Sequence, residues 1–486
     1  MITRRAILRG SIAALAARAA RAAATGGRVE AADPPCPRPS ASQLAWQRAE
    51  LAMFVHFSIN TFTDREWGDG RESPRLFDPS ALDARQWART ARAAGFRSMI
   101  LTAKHHDGFC LWPTATTAHS VRASPYRGGA GDVMAEFTAA CRAEGLAAGV
   151  YLSPWDRHEP RYGSGRDYDN FYIAQLTELL EGYGPLTEVW FDGANGEGPS
   201  GRRQAYDWPR IHATVRRLQP GAVMFSDAGP DVRWVGNEGG IAPLTCWGQI
   251  DPGRVPYPGY GGADLEEALG HGDPFGSVWR PAEADVSIRP GWFWHAAEDS
   301  QVKGGAELLT LYLRSAGRNS KLLLNVPPTR LGVLHESDVR ALGDFARRRG
   351  SLFALDRLQG ARVRGSSAAP GHPPAAVLDA DPDSYWSAAP RERRGWLEFS
   401  LPEPREFDTL RLEEAITLGQ GIAGYRLACR TPGGGWRTVT WGTTIGCQKL
   451  DRFAPVTARE LRLGIEFAYG PPRLAAVGLF RSADAE

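Results

Sequence analysis

The sequence of 486 residues lacks several features that mark particular protein classes. Its six cysteines form no CxxC pair and no finger-type spacing, which argues against a zinc finger and against a dense disulfide framework. Lys and Arg number 57 and Asp and Glu number 55, so this near balance gives no sign of a nucleic-acid or polyanion partner. After the N-terminal region, no apolar run approaches the roughly 20 residues of a membrane span. We therefore expect a chain without a transmembrane helix.

The N-terminus resembles an export signal. Arg4 and Arg5 precede a short apolar segment, and a stretch of small residues then ends in an A-x-A-like site at residues 22–24. This arrangement is similar to the twin-arginine signals of bacterial proteins. We therefore expect residues 1–25 to be a signal and the mature protein to be exported to the periplasm or the cell exterior.

Residues 40–355 alternate short apolar runs with segments of helical periodicity. Predicted strands are MFVHFSIN, FRSMILTAKHH, AAGVYLSP, TEVWFDG, AVMFSDAG and KLLLNVPP. Predicted helices are SALDARQWARTARAAG, with Ser80 as its cap, DVMAEFTAACRAEG, FYIAQLTELLEGYG and PRIHATVRRLQ. This many alternations predict a parallel sheet and favour a (β/α)8 barrel. An open doubly wound sheet is the alternative, but no GxGxxG motif follows the first strand.

Polar and aromatic side chains follow the predicted strands where each strand ends. In a barrel enzyme, the C-terminal strand ends form the rim that carries the catalytic residues. We therefore expect one mouth that collects these side chains. They are His56, Asn60, His105, His106, Tyr151, Trp155, Asp156, Asp192 and Asp227.

Three kinds of function fit such a mouth. Metal-assisted hydrolysis uses His and Asp at successive strand ends. However, the first strand has no H-x-H, and the adjacent His105 and His106 would point to opposite faces of an extended strand. A sugar-binding module without catalysis is the second possibility, because the 16 tryptophans offer indole faces that stack on sugars. Glycoside cleavage is the third, and it needs two carboxyl groups across the scissile bond.

Three carboxyl groups are candidates for that pair. Asp192 ends the strand TEVWFDG, where Gly193 frees the backbone to turn. Glu238 lies in VGNEGG, whose glycines let the backbone approach a ligand closely. Glu66 in DREWGDG is the third candidate.

Six ordered motifs together resemble the α-L-fucosidases of glycoside hydrolase family 29. They are MFVHFSINTF, EWGDG, TAKHHDGFCLW, YLSPWDRH, VWFDGANG and WVGNEGG, and they extend over the predicted barrel. The resemblance implies a retaining exo-α-L-fucosidase that acts on a fucosylated glycan and needs no metal or other cofactor. A fucose-binding protein of the same fold without turnover is the alternative.

The resemblance also implies roles for individual residues. It places the nucleophile at Asp192 and the acid/base at Glu238, which follows 46 residues later. The context and spacing of Glu238 resemble the branch that cleaves α-1,3/1,4-linked fucose from Lewis-type glycans. Glu283 is the main rival as acid/base, but we expect Glu283, Asp285 and Arg289 to bind the leaving-group side of the substrate.

Fucose itself is expected to contact histidine and aromatic side chains. By the resemblance, His105 and His106 bind fucose hydroxyls. The C5 methyl group of this 6-deoxy sugar needs an apolar wall, for which Trp67, Trp292 or Trp294 is suitable. The full set of expected sugar-binding residues is His56, Glu66, Trp67, His105, His106, Tyr151, Trp155, Glu283, Asp285, Arg289 and Trp292.

The pattern changes in residues 360–486. After the linker RGSSAAPGHPPA, short alternating runs such as GWLEFSL, DTLRLEEA and ELRLGIEF predict an all-β sandwich. VLDADPDSYWSA followed by GWLEFSLPEPREFDTLRLEE resembles the opening of discoidin, or galactose-binding-like, domains. Such a domain either binds sugar at its loops or braces the barrel. Asp379, Asp381 and Asp383 form either a Ca²⁺ site or an Asp-rich turn.

Overall fold

A computed structural model describes residues 36–262, 264–379 and 381–482. The expected export signal lies outside the described residues, so it stays a prediction. In the part of the chain that is described, no helix is long and apolar enough to cross a membrane.

Eight parallel strands close into a barrel, which confirms the predicted fold. In chain order these strands are β1 (Leu51–Val55), β2 (Ser98–Lys104), β3 (Ala147–Leu152), β4 (Glu188–Trp190), β5 (Val223–Ser226), β6 (Val232–Trp234), β9 (Ala282–Ser287) and β10 (Ser320–Asn325). Pairing of β10 with β1 closes the ring, with Leu51 opposite Leu322. The short strands β7 (Gln249–Ile250) and β8 (Val278–Trp279) form an antiparallel pair in the insertion between β6 and β9.

Helices precede, connect and follow the barrel strands. They are α1 (Ala41–Arg48), α2 (Ile59–Thr63), α3 (Ala84–Ala93), α4 (Val133–Ala143), α5 (Arg166–Gly182), α6 (Trp208–Leu218), α7 (Leu265–His271), α8 (Gly305–Arg314) and α9 (Glu336–Leu352). Helix α3 buries Trp87, Ala88 and Ala91, as its amphipathic pattern predicts. Its cap, however, is Asp83, whose side chain accepts a hydrogen bond from the backbone of Gln86. The predicted cap at Ser80 is therefore wrong by three residues.

The C-terminal region is an antiparallel β domain, as predicted. Its strands are β11 (Arg362–Gly365), β12 (Trp386–Ser387), β13 (Gly395–Glu414), β14 (Ile422–Arg430), β15 (Trp436–Gly442), β16 (Lys449–Ala468) and β17 (Arg473–Phe480). Its own apolar core includes the buried Trp386, Leu397 and Leu463. Asp379 accepts hydrogen bonds from the backbone of Asp381 and from Ser384, and Asp381 accepts one from the backbone of Asp383. This bonding is that of an Asp-rich turn.

Buried contacts join the β domain to the barrel. Gln420 accepts hydrogen bonds from the Gly248 backbone at 2.7 Å and from Asn319 Nδ2 at 3.0 Å. Leu450 and Phe480 of the β domain are buried in the same apolar cluster as the outer side of the barrel. These contacts are those expected of a domain that braces the barrel.

Removal of residues 356–486 is therefore expected to destabilise the barrel. Burial of two side chains such as Leu450 and Phe480 contributes about 3–6 kcal/mol. We expect the truncated chain to be largely insoluble, and any soluble fraction to melt at least about 5 °C below the full chain. Soluble yield and a thermal melt measure both effects, with Gln420→Ala in the full chain as a milder comparison. A soluble truncation with full activity and unchanged melting would show that the domain is a separable module.

Candidate active site

Asp192 lies at the rim of the barrel, two residues after the end of β4. Its Oδ2 atom accepts a hydrogen bond from the Tyr151 hydroxyl at 3.0 Å, and its Oδ1 atom accepts one from the Ala194 backbone at 2.7 Å. The two donors hold the carboxyl group in one orientation. Its side chain is 26% exposed, so a ligand in the mouth can reach it.

His106 lies beside this carboxyl group. Its Nδ1 atom is 2.7 Å from Ser153 Oγ, and Ser153 donates its single hydrogen to the Trp155 carbonyl. Ser153 must therefore accept from Nδ1–H of His106, which leaves Nε2 of the neutral ring as an acceptor. Nε2 lies 3.8 Å from Asp192 Oδ2, too far for a direct hydrogen bond.

His56 is held in a similar way at the end of β1. Its Nδ1 atom is 2.9 Å from Asn325 Oδ1, and the amide nitrogen of Asn325 donates to Ser287 Oγ and to the Trp292 carbonyl. These bonds fix the amide and make Nδ1 the protonated nitrogen of His56. Burial lowers the pKa of His56 to about 3, so the ring is neutral near neutral pH.

His105 and His106 face the same space. Strand β2 ends at Lys104, so the two residues are not extended, and their ring centroids lie 4.1 Å apart. The geometry of an extended strand, which would point the two side chains to opposite faces, therefore does not apply here. Burial, followed by the neighbouring histidines, lowers the pKa of His105, whose Nδ1 atom has no protein partner within the described ranges. In the same ranges, no three His, Cys, Asp or Glu side chains are grouped as a metal site requires.

Glu238 lies in the loop that follows β6. Its Oε2 atom accepts a hydrogen bond from the indole of Trp292 at 3.3 Å, and the side chain is exposed. Gly240 has a φ of 65°, and a Cβ atom there would lie 2.6 Å from Val286 Cγ1, so this turn requires glycine. The loop therefore presents Glu238 to the mouth from the end of β6, which lies two strands from β4, the strand that leads to Asp192.

Glu66 supports the segment that carries Trp292. Its two carboxylate oxygens accept hydrogen bonds from the backbones of Trp292 and Phe293, at 2.8 and 3.1 Å. His295 Nε2 lies 2.7 Å from Glu66 Oε1. Glu66 is 38% exposed, so it lies at the mouth while it also orients the partner of Glu238.

Asp285 is a fourth carboxyl group of the mouth. It projects from β9 and accepts a hydrogen bond from the Trp234 indole at 2.6 Å. Burial, together with the charges of Glu238 and Asp192, raises the pKa of Asp285 to about 7. Asp285 is therefore close to both candidate catalytic groups.

Aromatic rings form one wall of the mouth. Trp67 packs edge-to-face on His106 at 5.7 Å and on Trp155 at 5.6 Å. It is 56% exposed, whereas Trp155 is mostly buried and donates to the Glu197 carbonyl. Trp292 packs against His56 at 5.1 Å. Trp67 and Trp292 thus offer apolar surface beside the histidines.

Comparison with known proteins identifies this constellation. The family model of α-L-fucosidase matches residues 41–348. α-L-fucosidase 1 of Arabidopsis thaliana is 43% identical, and the match covers 92% of this chain and 88% of that protein. The chain belongs to the α-L-fucosidases of glycoside hydrolase family 29.

Solved structures agree with this assignment. The family 29 fucosidase of Ruminococcus gnavus in complex with fucose has a TM-score of 0.86 and 32% identity, over 95% of this chain and 98% of that one. The structure named SpGH29 has a TM-score of 0.87 and 38% identity, over 93% and 100%. The model of the F5/8 type C domain, which is discoidin-like, matches residues 362–471 and confirms the second resemblance.

Two side chains expected on the leaving-group side lie elsewhere in this fucosidase. Glu283 is fully buried inside the barrel, where it accepts from the Trp190 indole and lies 3.9 Å from Lys321 Nζ. Arg289 is 1% exposed, and its guanidinium is bonded to Asp338 and Asp299. Neither expectation agrees with this structure, because these side chains have no access to a sugar.

Two polar residues expected at the mouth are also buried. Asp156 is 1% exposed and pairs with the fully buried Lys104 at 2.9 Å. Asn60 is fully buried and donates to the carbonyl of Glu66. Both stabilise the loops of the fucosidase rim instead of facing the substrate.

Several residues of the fucosidase site were missed by sequence reasoning. Ser153 and Asn325 fix the histidine tautomers, and Trp234 binds Asp285. Their position at strand ends is the feature of the sequence that could have identified them. Ser153 directly follows β3, Asn325 is the last residue of β10, and Trp234 is the last residue of β6. Strand-end rules therefore point to them, although their partners do not follow from the sequence.

Proposed function

We propose that this fucosidase removes α-1,3/1,4-linked fucose from Lewis-type glycans with retention of configuration. Asp192 is the nucleophile and Glu238 the acid/base in this proposal. The observation that carries it is the arrangement of the two carboxyl groups in one mouth, each oriented by a donor, Tyr151 and Trp292 respectively. A retaining glycosidase requires such a pair, about 5–5.5 Å apart during reaction.

Neutral imidazoles support fucose as the bound sugar. His56 and His106 each donate Nδ1–H to a protein group, which leaves Nε2 to accept a hydrogen bond from a sugar hydroxyl. The 3.8 Å gap between His106 Nε2 and Asp192 Oδ2 separates two acceptors, and a hydroxyl placed near both could donate to either. Trp67 and Trp292 supply the apolar surface that a C5 methyl group needs. The Ruminococcus gnavus relative was solved with fucose bound.

The proposed reaction has two steps. Asp192 attacks the anomeric carbon while Glu238 protonates the departing glycosidic oxygen, which gives a glycosyl-enzyme. Glu238, now ionised, takes a proton from water as the water attacks the same carbon and releases Asp192. The Tyr151 hydroxyl and the Ala194 backbone stabilise the Asp192 carboxylate before attack and after release.

The linkage preference is tested by comparing three substrates. If the branch assignment is right, we expect kcat/KM for Lewis a or Lewis x trisaccharide to exceed that for 2′-fucosyllactose and for an aryl fucoside by at least about tenfold, because contacts to the branched leaving group are used in the transition state. Fucose release measured by chromatography gives all three values. Comparable values on the three substrates would assign the enzyme to the other branch, and release from none would support the non-catalytic alternative.

A further inference from the structure

A proline-rich segment of the insertion between β6 and β9, residues 251–262, lies at the rim of the mouth. Val255 anchors it, because this side chain is 1% exposed and packs in an apolar cluster with Ala228 and Ile250. Pro256 and Pro258 flank Tyr257 and fix the backbone φ angle on both sides of it. The segment is therefore stiff at the point where it carries an aromatic ring.

A second anchor joins the segment to the catalytic strands. The Gly259 backbone donates a hydrogen bond to Asp227 Oδ2 at 2.8 Å, and Asp227 directly follows β5. Gly259 has a φ of 79°, and a Cβ atom there would lie 2.9 Å from the carbonyl oxygen of Gly193. The segment thus touches the residue that follows Asp192.

The position of Asp227 in the barrel determines which part of the rim the segment occupies. In the barrel, β5 lies between β4, which leads to Asp192, and β6, which leads to Glu238. Asp227 therefore holds the segment at the rim between the strand ends that carry the two proposed catalytic carboxyl groups. A saccharide that extends out of the mouth on this side would meet the segment.

The segment presents two tyrosines at this place. Tyr257 is 52% exposed, and its ring lies 5.5 Å from that of Tyr260 at an angle of 82°. Neither hydroxyl has a hydrogen-bond partner among residues 36–262, 264–379 and 381–482, whereas the hydroxyls of Tyr151 and Tyr162 at the same rim are bonded. Two perpendicular rings with unused hydroxyls suit a sugar, whose C–H face packs on a ring and whose hydroxyls bind the phenols.

We propose that Tyr257 and Tyr260 bind the hexose or N-acetylhexosamine residue from which fucose is cleaved, an inference that rests on the proposed hydrolytic function. The stiff backbone holds the rings in place before binding, which reduces the entropy that the complex loses. The tyrosines then determine which leaving-group sugars are accepted, without touching fucose itself.

The test compares a saccharide substrate with α-L-fucosyl fluoride, whose leaving group is a single atom. The saccharide is whichever of Lewis a, Lewis x and 2′-fucosyllactose the unaltered enzyme hydrolyses fastest, so a failed linkage proposal leaves this test intact. We expect Tyr257→Ala and Tyr260→Ala to lower kcat/KM for the saccharide by about 10–100-fold, which is the size of loss that follows removal of an aromatic stacking partner. For the fluoride, we expect kcat/KM to fall by less than about twofold. Tyr257→Phe keeps the aromatic ring, so its loss of kcat/KM for the saccharide should be smaller than that of Tyr257→Ala.

The matched control is Trp441→Ala, which removes an exposed ring from the β domain and should change neither value. Thermal melts check that all variants are folded. An equal loss on both substrates would mean that the segment only supports the mouth, and no loss on the saccharide would mean that it binds nothing there. Either result overturns the inference, as does an unaltered enzyme that hydrolyses the fluoride but no saccharide. An enzyme inactive on every fucoside would instead refute the proposed function.

Discussion

Replacement of Asp192 by Ala is expected to lower kcat by about 10³-fold or more on every fucoside, because it removes the proposed nucleophile. The fold should survive, since the side chain is partly exposed at the rim and its two bonds are to Tyr151 and Ala194. Steady-state hydrolysis and a thermal melt measure the two quantities. We expect the melting temperature to change by no more than a few degrees.

Azide distinguishes the nucleophile from a residue that only shapes the site. In Asp192→Ala, azide can occupy the vacated side and attack the anomeric carbon of an activated fucoside, which gives β-fucosyl azide. Glu181→Ala is the control, because this exposed carboxyl group of helix α5 has no part in the proposed site and should be dispensable. Full activity of Asp192→Ala, or rescue without a fucosyl azide of β configuration, would remove Asp192 from the nucleophile role.

The barrel could be predicted because its signal is local. Each strand is a short apolar run and each helix has a buried stripe, so alternation along the chain is sufficient to predict a parallel sheet. The strand-end rule then placed His56, His106 and Asp192 at one rim, where the structure has them. Boundaries were less certain, since Ser80 and Asp83 are both good caps and only tertiary packing selects Asp83.

The wrong assignments have a geometric reason. Glu283 and Asp285 alternate with Ala284 along β9, so both point into the barrel. Asp285 lies two residues nearer the C-terminal end, about 7 Å higher, and only it reaches the mouth. Arg289 is paired with Asp338 of α9, 49 residues later in the chain. A sequence pattern can give the direction of a side chain, but not the depth of a site or a distant partner.

The tautomers of the histidines could not be predicted either. They follow from the hydrogen bonds of Ser153 and Asn325, and those bonds depend on where strands β3 and β10 end relative to β1 and β2. The sequence predicted that imidazoles would bind hydroxyls. Only the folded arrangement shows which nitrogen of His56 and of His106 remains an acceptor.

Replacement of Glu238 by Ala is expected to have an effect that depends on the leaving group. Natural glycans need protonation of the departing oxygen, so their kcat/KM should fall by about 10²–10⁴-fold. Fucosides with good leaving groups, such as 2,4-dinitrophenyl fucoside, still form the Asp192 intermediate, so their first step should be spared. Rapid-mixing kinetics with both substrate types measure this difference. Azide should then attack the intermediate from the face opposite Asp192 and give α-fucosyl azide.

The rival Glu283 supplies the matched comparison for Glu238. Burial and the adjacent Glu188 carboxylate raise the pKa of Glu283 well above its ordinary value, which favours its protonated form. Glu283→Gln is close to isosteric with that protonated form, and we expect it to retain kcat within a few-fold on both substrate types. Lys321 keeps its partner, because its Nζ atom lies 3.1 Å from Glu188. If Glu238→Ala kept full activity on glycans while Glu283→Gln lost it in a leaving-group-dependent way, the proton donor would be Glu283, and the mouth would have to open to the barrel interior during reaction.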